Sequence, residues 1–204
     1  MQLQSQQEHT QDWASENFPT WERILSPVKG KPFTILEIGS FEGRSTIWFL
    51  ENILTHEDSR MVCIDPWDLE GNVYEKDYNM SDAMEKFKAN TEKYSEKIFP
   101  IRGFSFSVLC GLHAEKIFPI VPKFGLIYID GNHETRSVLE DCVLSWPLLD
   151  DLGILIFDDY ASSNVDNPIR EHPKMAIDSF LNTIPGQYQI LWCQYQLIIQ
   201  KISS

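Results

Sequence analysis

The chain has 204 residues, 43% of them hydrophobic, which suits one globular domain, residues 1–204, with a sizeable core. Its 17 Lys and Arg against 30 Asp and Glu give a formal charge of -13, far from the basic footprint that nucleic acid or an anionic membrane surface demands. Neither is expected as a partner.

The N-terminal MQLQSQQEHTQDW has neither the basic start nor the apolar run of a signal peptide, and no apolar stretch is long enough to cross a bilayer. Cys63, Cys110, Cys142 and Cys193 lie far apart, form no CxxC pair and read as reduced core thiols, so the expectation is a cytoplasmic protein. Residues 1–30 read as a helical extension: Trp13, Phe18, Trp21, Ile24 and Leu25 predict a helix packed across a sheet edge or over a ligand. Short apolar runs then recur at 33–38 (FTILEI), 61–64 (MVCI), 98–101 (IFPI), 124–129 (FGLIYI) and 153–157 (GILIF). Most are Ile-rich, as strands buried on both faces should be. Between them apolar residues fall three and four apart: Ile47, Leu50 and Leu54; Met80, Met84, Phe87 and Thr91; Val108, Leu109 and Leu112; Val138, Leu139, Cys142 and Val143.

Strand and helix therefore alternate through the first 160 residues, which predicts an α/β fold, a doubly wound and mostly parallel sheet. A helix about 174–183, with Ala176, Ile177, Phe180, Leu181 and Ile184 as its buried stripe, leads to Pro185-Gly186. Strands at 188–192 and 196–201 follow, too close together for a helical crossover, and predict a C-terminal antiparallel hairpin. Five βα units with a terminal antiparallel strand is how class I S-adenosylmethionine-dependent methyltransferases are built. Outside this alternation lies 66–79, PWDLEGNVYEKDYN, an acidic and aromatic insertion that reads as a lid.

The turn ILEIGSFEGRST sits where a doubly wound sheet binds ligands. A dinucleotide fingerprint needs G-x-G-x-x-G, but Phe41 and Arg44 occupy its second and third glycine positions, and no Gly-Lys-Ser/Thr marks a P-loop. The spacing Glu37-x-Gly39-x-x-x-Gly43 suits instead a ligand with a positive centre and an amino acid end. Backbone N–H groups at the helix start take a carboxylate, and acidic side chains favour an ammonium or sulfonium. Asp65, ending the second strand, is positioned for ribose hydroxyls.

Two runs end in acid: Tyr128-Ile129-Asp130 and Ile156-Phe157-Asp158-Asp159. In the strand order 3-2-1-4-5 they belong to neighbouring strands about 5 Å apart, so three carboxylates share one rim beside the Gly39 turn. Buried carboxylates repel, and hard oxygen donors without a thiolate partner predict Mg²⁺, Mn²⁺ or Ca²⁺ among Asp130, Asp158 and Asp159. His133, three residues past Asp130 at the expected start of a helix, is predicted to have a pKa lowered by the helix dipole and to serve as a general base.

The segments ILEIGSFEGRSTIWFL, CIDPWD, YIDGNHETRSVLEDCVLSWPLLDDLGILIFDDY and KMAIDSF resemble the class I methyltransferase group that includes the metal-dependent O-methyltransferases of macrolide and aminocoumarin sugars. The resemblance spans about residues 33–182. It implies metal binding by Asp130, Asp158 and Asp159, catalysis by His133 with Asp130, and an S-adenosylmethionine pocket lined by Glu37, Gly39, Ser40, Gly43, Ser45, Asp65, Asp130 and the Gly103-Phe104-Ser105 turn. Animal catechol O-methyltransferases place a similar Asp plus Asp-Asn trio at the same strand ends. The chain is shorter than the antibiotic-sugar enzymes, so the sugar substrate does not carry over. The expectation is a Mg²⁺-assisted O-methyltransferase acting on a hydroxyl of a small or medium natural product. A metal-independent carboxyl or peptide-end methyltransferase acting on a short peptide, and a non-catalytic S-adenosylmethionine-binding module, stand as alternatives. Trp13 and Trp21, if exposed, mark a homodimer contact, and a lid or a place in the core explains them as well.

Overall fold

The computed structural model describes residues 8–70, 80, 82–114, 123–162 and 171–203. Seven strands are present among them: β1 (Thr34–Ile38), β2 (Arg60–Asp65), β3 (Ile98–Arg102), β4 (Phe124–Ile129), β5 (Leu149–Phe157), β6 (Tyr188–Cys193) and β7 (Leu197–Lys201). The helices are α1 (Phe18–Leu25), α2 (Arg44–Asn52), α3 (Ala83–Thr91), α4 (Ser105–His113), α5 (Thr135–Ser145) and α6 (Pro173–Leu181). One sheet runs β3-β2-β1-β4-β5-β7-β6. The first five strands are parallel, β7 is antiparallel to both of its neighbours, and the expected order and hairpin are both present.

The sheet is buried on both faces because its strands are apolar at nearly every position. Leu36, Ile38, Val62, Ile64, Ile127, Ile129, Leu155 and Phe157 join one core with α4, α5 and α6. Their alternating neighbours Ile35, Met61, Cys63, Leu126, Tyr128, Ile154 and Ile156 join the other with α1, α2 and α3. β5 begins four residues earlier than its apolar run. Leu149 pairs with Phe124 across a register shift, and the exposed Asp150-Asp151-Leu152 join the two parts of the strand.

The N-terminal helix is shorter and more deeply placed than its sequence implies. Trp21 is 0% exposed, stacked on Phe49 at 4.8 Å between centroids and edge-on to Trp48 and Tyr128. Of the readings open for Trp21 the core one holds and the exposed dimer contact does not; burial of one such side chain contributes about 3 kcal/mol. Among the described residues no helix is long and apolar enough to cross a membrane.

At the carboxyl edge the hydrogen-bond ladder runs one residue past the strands. Gly39 N–H donates to Ile64 O (2.8 Å), Asp130 N–H to Ile38 O (2.8 Å) and Asp158 N–H to Ile129 O (3.0 Å), which lines these residues up along one rim. Gly39 has φ +86°, and a Cβ there would lie 1.9 Å from the carbonyl oxygen of Asp130. Beneath the rim, α5 buries Asp141 at 1% exposure, with no full hydrogen bond to its carboxylate among the described residues. Burial pushes its pKa up to about 7 even though the Ser105 hydroxyl lies close enough to ease the charge.

Gly39→Ala is expected to destabilise the fold by roughly 2 to 5 kcal/mol in urea unfolding, combining a left-handed backbone with a collision. Because the folded pKa of Asp141 exceeds the ordinary value of 3.8, stability falls as pH rises from about 4 to about 7. Asp141→Asn should remove that slope and stabilise the protein above pH 7 by an amount on the order of a few kcal/mol, and a parallel pH profile of the two proteins would refute the assignment.

Candidate functional site

A cavity of about 830 Å³ opens at the carboxyl ends of the parallel strands, within the usual size range for small-molecule sites. Gly39, Ser40, Phe41, Arg44 and Ser45 of the first turn line it, with Asp65, Phe104 and Ser105, and Asp130, His133, Asp158 and Asp159 on another wall.

The glycine turn is built from unusual backbone. Gly39, Phe41 and Gly43 all have positive φ, and Gly43 precedes the first residue of α2. Two carboxylates hold that shape. Asp65 accepts the N–H groups of Ser40 and Phe41 (2.9 Å each) on one oxygen and that of Trp67 (2.6 Å) on the other. Glu37 lies under the turn at 0% exposure, accepting the hydroxyls of Ser40 (2.7 Å), Ser45 (2.6 Å) and Thr46. Burial raises the pKa of Glu37 despite those three donors.

These contacts are made within the chain by residues expected to meet a ligand. Glu37 is not on the cavity wall, because the strand turns its side chain under α2. Asp65 is on the wall, but both its oxygens already serve the backbone. The Ser40 and Phe41 N–H groups donate to Asp65, whereas the N–H groups expected to take a ligand carboxylate are those at the start of α2, from Arg44. Gly43 and Gly103 also stay off the wall, the first against Phe87 and Thr91 and the second against Val108. Their neighbours Ser45, Phe104 and Ser105 do reach it.

The strand ends bring Asp130, Asp158 and Asp159 together as expected. Tyr128 stands on the same strand face as Asp130, two residues earlier. Its hydroxyl lies 2.8 Å from Asp130 Oδ2 and also against Asp158 Oδ2, so one proton serves two carboxylates. Asp158 has further donors in the Asp159 N–H (2.8 Å) and the Gln196 amide (3.1 Å). Asp159, at φ +54°, receives His133 Nε2 at 2.7 Å and the Tyr195 hydroxyl.

The charges follow from these partners. Burial, then the Asp158 and Asp159 charges, hold Asp130 well above the ordinary carboxylate range. Burial and the Asp159 charge push Asp158 up to about 6. Asp159 is lowered, since against its burial the bond and charge of His133 and the Tyr195 hydroxyl favour the anion. His133 corrects the dipole expectation. It precedes α5 rather than opening it; burial lowers its pKa, but the Asp159 bond and the nearby acids outweigh this and raise it.

The donor chemistry fits a divalent cation. Oxygens or nitrogens of Asp130, His133 and Asp159 converge within 4.8 Å of one another. Asp158 stands outside this set because its oxygens face Tyr128, Gln196 and the backbone. Among the described residues no lysine or arginine is ion-paired with these acids, so their negative charge lacks a protein cation other than His133. The same cavity fits a sulfonium cofactor, with acids on one wall and the α2 N-terminus opening onto it.

Some wall residues escaped the sequence. Trp13 packs on Phe41 (5.2 Å), and its segment is tied down by Thr10 on Glu42 and by Arg44 on Asp12 (3.4 Å) and Ser15 (2.6 Å). Trp192, Gln194, Tyr195 and Gln196 enter from the β6–β7 hairpin. Only Tyr128 had a usable signal, its two-residue offset from Asp130. Of the expected lid, Trp67 is buried against Phe87 (5.1 Å) and donates to Phe41 O (2.8 Å), so the insertion starts anchored in the core. Residues 71–79 lie outside the described residues.

The fold is shared with known proteins. A protein of Acanthamoeba polyphaga mimivirus described as uncharacterised is 26% identical over 151 residues, 71% of this chain but only 59% of its own length. An O-methyltransferase of Bacillus cereus, solved with S-adenosylhomocysteine, superposes with a TM-score of 0.69 at 16% identity, covering 96% of this chain and 84% of that one. TomG of Streptomyces achromogenes, an O-methyltransferase involved in tomaymycin synthesis and solved with S-adenosylmethionine, gives 0.65 at 15% identity, covering 91% and 80%. Residues 36–160, from β1 to just past the acidic pair, match the methyltransferase-domain family Methyltransf_24. The chain belongs to that family and shares the fold of these O-methyltransferases.

Proposed function

We propose that the protein transfers a methyl group from S-adenosylmethionine to a hydroxyl of a small or medium natural product, assisted by Mg²⁺ or a similar divalent cation. The observation that carries this reading is the His133–Asp159 pair, 2.7 Å apart, beside Asp130 on the wall of the cavity that also holds the glycine turn. Bound S-adenosylmethionine supplies a methyl on a sulfonium, which departs as the neutral thioether S-adenosylhomocysteine. Asp130 and Asp159 would hold a divalent cation, with the Asp158 charge close by, and the cation would supply positive charge that acidifies the acceptor hydroxyl and offsets the field raising His133.

The residues of the chain do the rest. The His133 imidazole takes the hydroxyl proton as the oxygen–methyl bond forms, and Asp159, paired with its Nε2, stabilises the imidazolium. Phe41, Trp13 and the hairpin wall confine the acceptor, and much of the acceleration comes from holding the two reactants in line. Carboxyl methylation fits less well, because a carboxylate acceptor would have to approach three like charges. A short-peptide acceptor and a homodimer have no specific support in the site.

His133→Ala should lower turnover by about two to four orders of magnitude while binding S-adenosylhomocysteine like the parent protein; unchanged turnover would remove the base assignment. EDTA should abolish methylation across a panel of hydroxylated acceptors, and Mg²⁺ or Mn²⁺ should restore it. Full activity after chelation would transfer the reading to a metal-independent enzyme. Calorimetry that detects no S-adenosylhomocysteine binding would contradict use of the cofactor.

A further inference from the structure

Asp158 is the carboxylate whose orientation depends most on other side chains, and the chain of contacts that fixes it leads out of the site to the N-terminal helix. Leu197 pairs with Phe157 in the antiparallel β5–β7 ladder, so the preceding residue, Gln196, stands opposite Asp158. Its side chain is 2% exposed, and Nε2 lies 3.1 Å from Asp158 Oδ2. Its other end, Oε1, accepts the indole Nε1–H of Trp21 at 2.7 Å. Trp21 is itself wedged among Phe49, Trp48 and Tyr128, and Arg23, two residues on, lies over the Trp192 ring at 4.6 Å.

A glutamine amide is nearly symmetric in shape, so packing alone does not decide which end faces the acid. The hydrogen bonds do. An indole N–H only donates and an ionised carboxylate only accepts. With Trp21 on one side and Asp158 on the other, a single orientation satisfies both. The reverse would set the amide oxygen against Asp158 and its NH₂ against the indole N–H. Two buried contacts would be lost at once.

We infer that Gln196 is a positioning residue, turned by Trp21 so that it holds the Asp158 carboxylate beside the Asp130–His133–Asp159 set, where its charge adds to the affinity of that set for a divalent cation. Tyr128 cannot do this alone, because its single proton is shared between Asp158 and Asp130. Groups that orient metal-binding carboxylates commonly contribute 10- to 100-fold in metal affinity, roughly the size expected here. Trp21 and Gln196 both lie outside the stretch 36–160 that matches the family, so this control is supplied by the segments flanking it.

The inference rests on the divalent-cation reading above, and the test separates the two. Full-length protein saturated with S-adenosylhomocysteine is titrated with Mn²⁺, following free Mn²⁺ by electron paramagnetic resonance, for the parent, Trp21→Phe, Gln196→Leu and the double variant. Trp21→Phe keeps the ring and removes only the N–H donor. Each single variant should weaken Mn²⁺ binding by about 10-fold or more, leave S-adenosylhomocysteine binding within about twofold, and the double variant should be no weaker than Gln196→Leu. That non-additivity is what a merely structural role would not produce. Should Trp21→Phe fail to fold, Gln196→Leu alone decides the contact to Asp158. Parent-like Mn²⁺ affinity in Gln196→Leu overturns the inference and leaves the cation reading intact. A parent protein that binds S-adenosylhomocysteine but no Mn²⁺ overturns both.

Discussion

Mutual repulsion among three acids at the ends of two neighbouring strands is the constraint around which the site is arranged. Parallel pairing of β4 and β5 puts Asp130 and the Asp158–Asp159 pair on one rim, where the cavity wall leaves them only partly exposed. Such a cluster persists only when every oxygen has an answering donor or cation. Tyr128, Gln196, Tyr195 and His133 each supply part of that answer, and they come from a strand, a hairpin and a loop. The hairpin is thus more than an appendage to the parallel sheet. It completes the wall that faces the reacting groups.

The other half of the site solves the opposite problem. A turn with three positive φ angles exposes N–H groups that regular structure would have paired, and Asp65 and Glu37 hold the turn from inside. Their negative charge is spent on the chain before it acts on any ligand. The shape of the cavity is therefore maintained by groups that a ligand barely meets, and Gly39 lets the turn come within contact of the Asp130 carbonyl on the next strand. The two halves of the site touch through backbone.

Strand order, the hairpin and the meeting of the three acids were legible in the sequence because each depends on patterns a few residues long. An apolar run that stops at a carboxylate announces both the strand and its end. Side-chain direction at turns was less legible. Glu37 and Asp65 are acids beside a glycine turn, and nothing in their spacing says whether they point at a ligand or back at the chain. His133 was misjudged because its dominant neighbour, Asp159, is 26 positions away in sequence and adjacent only after folding. Trp21 and Gln196, 175 positions apart, left no local trace at all.

Asp159 adopts a left-handed backbone at φ +54°, a region in which most side chains clash with their own carbonyl and which asparagine and aspartate enter most readily. Its position thus screens substitutions twice. The backbone admits few residue types, and of these only a side chain ending in an oxygen can still face a metal or accept from His133. Aspartate and asparagine alone pass both filters, so backbone geometry confines the position to the same two residues that catalysis would choose, and drift at this site is limited to whether the oxygen carries charge.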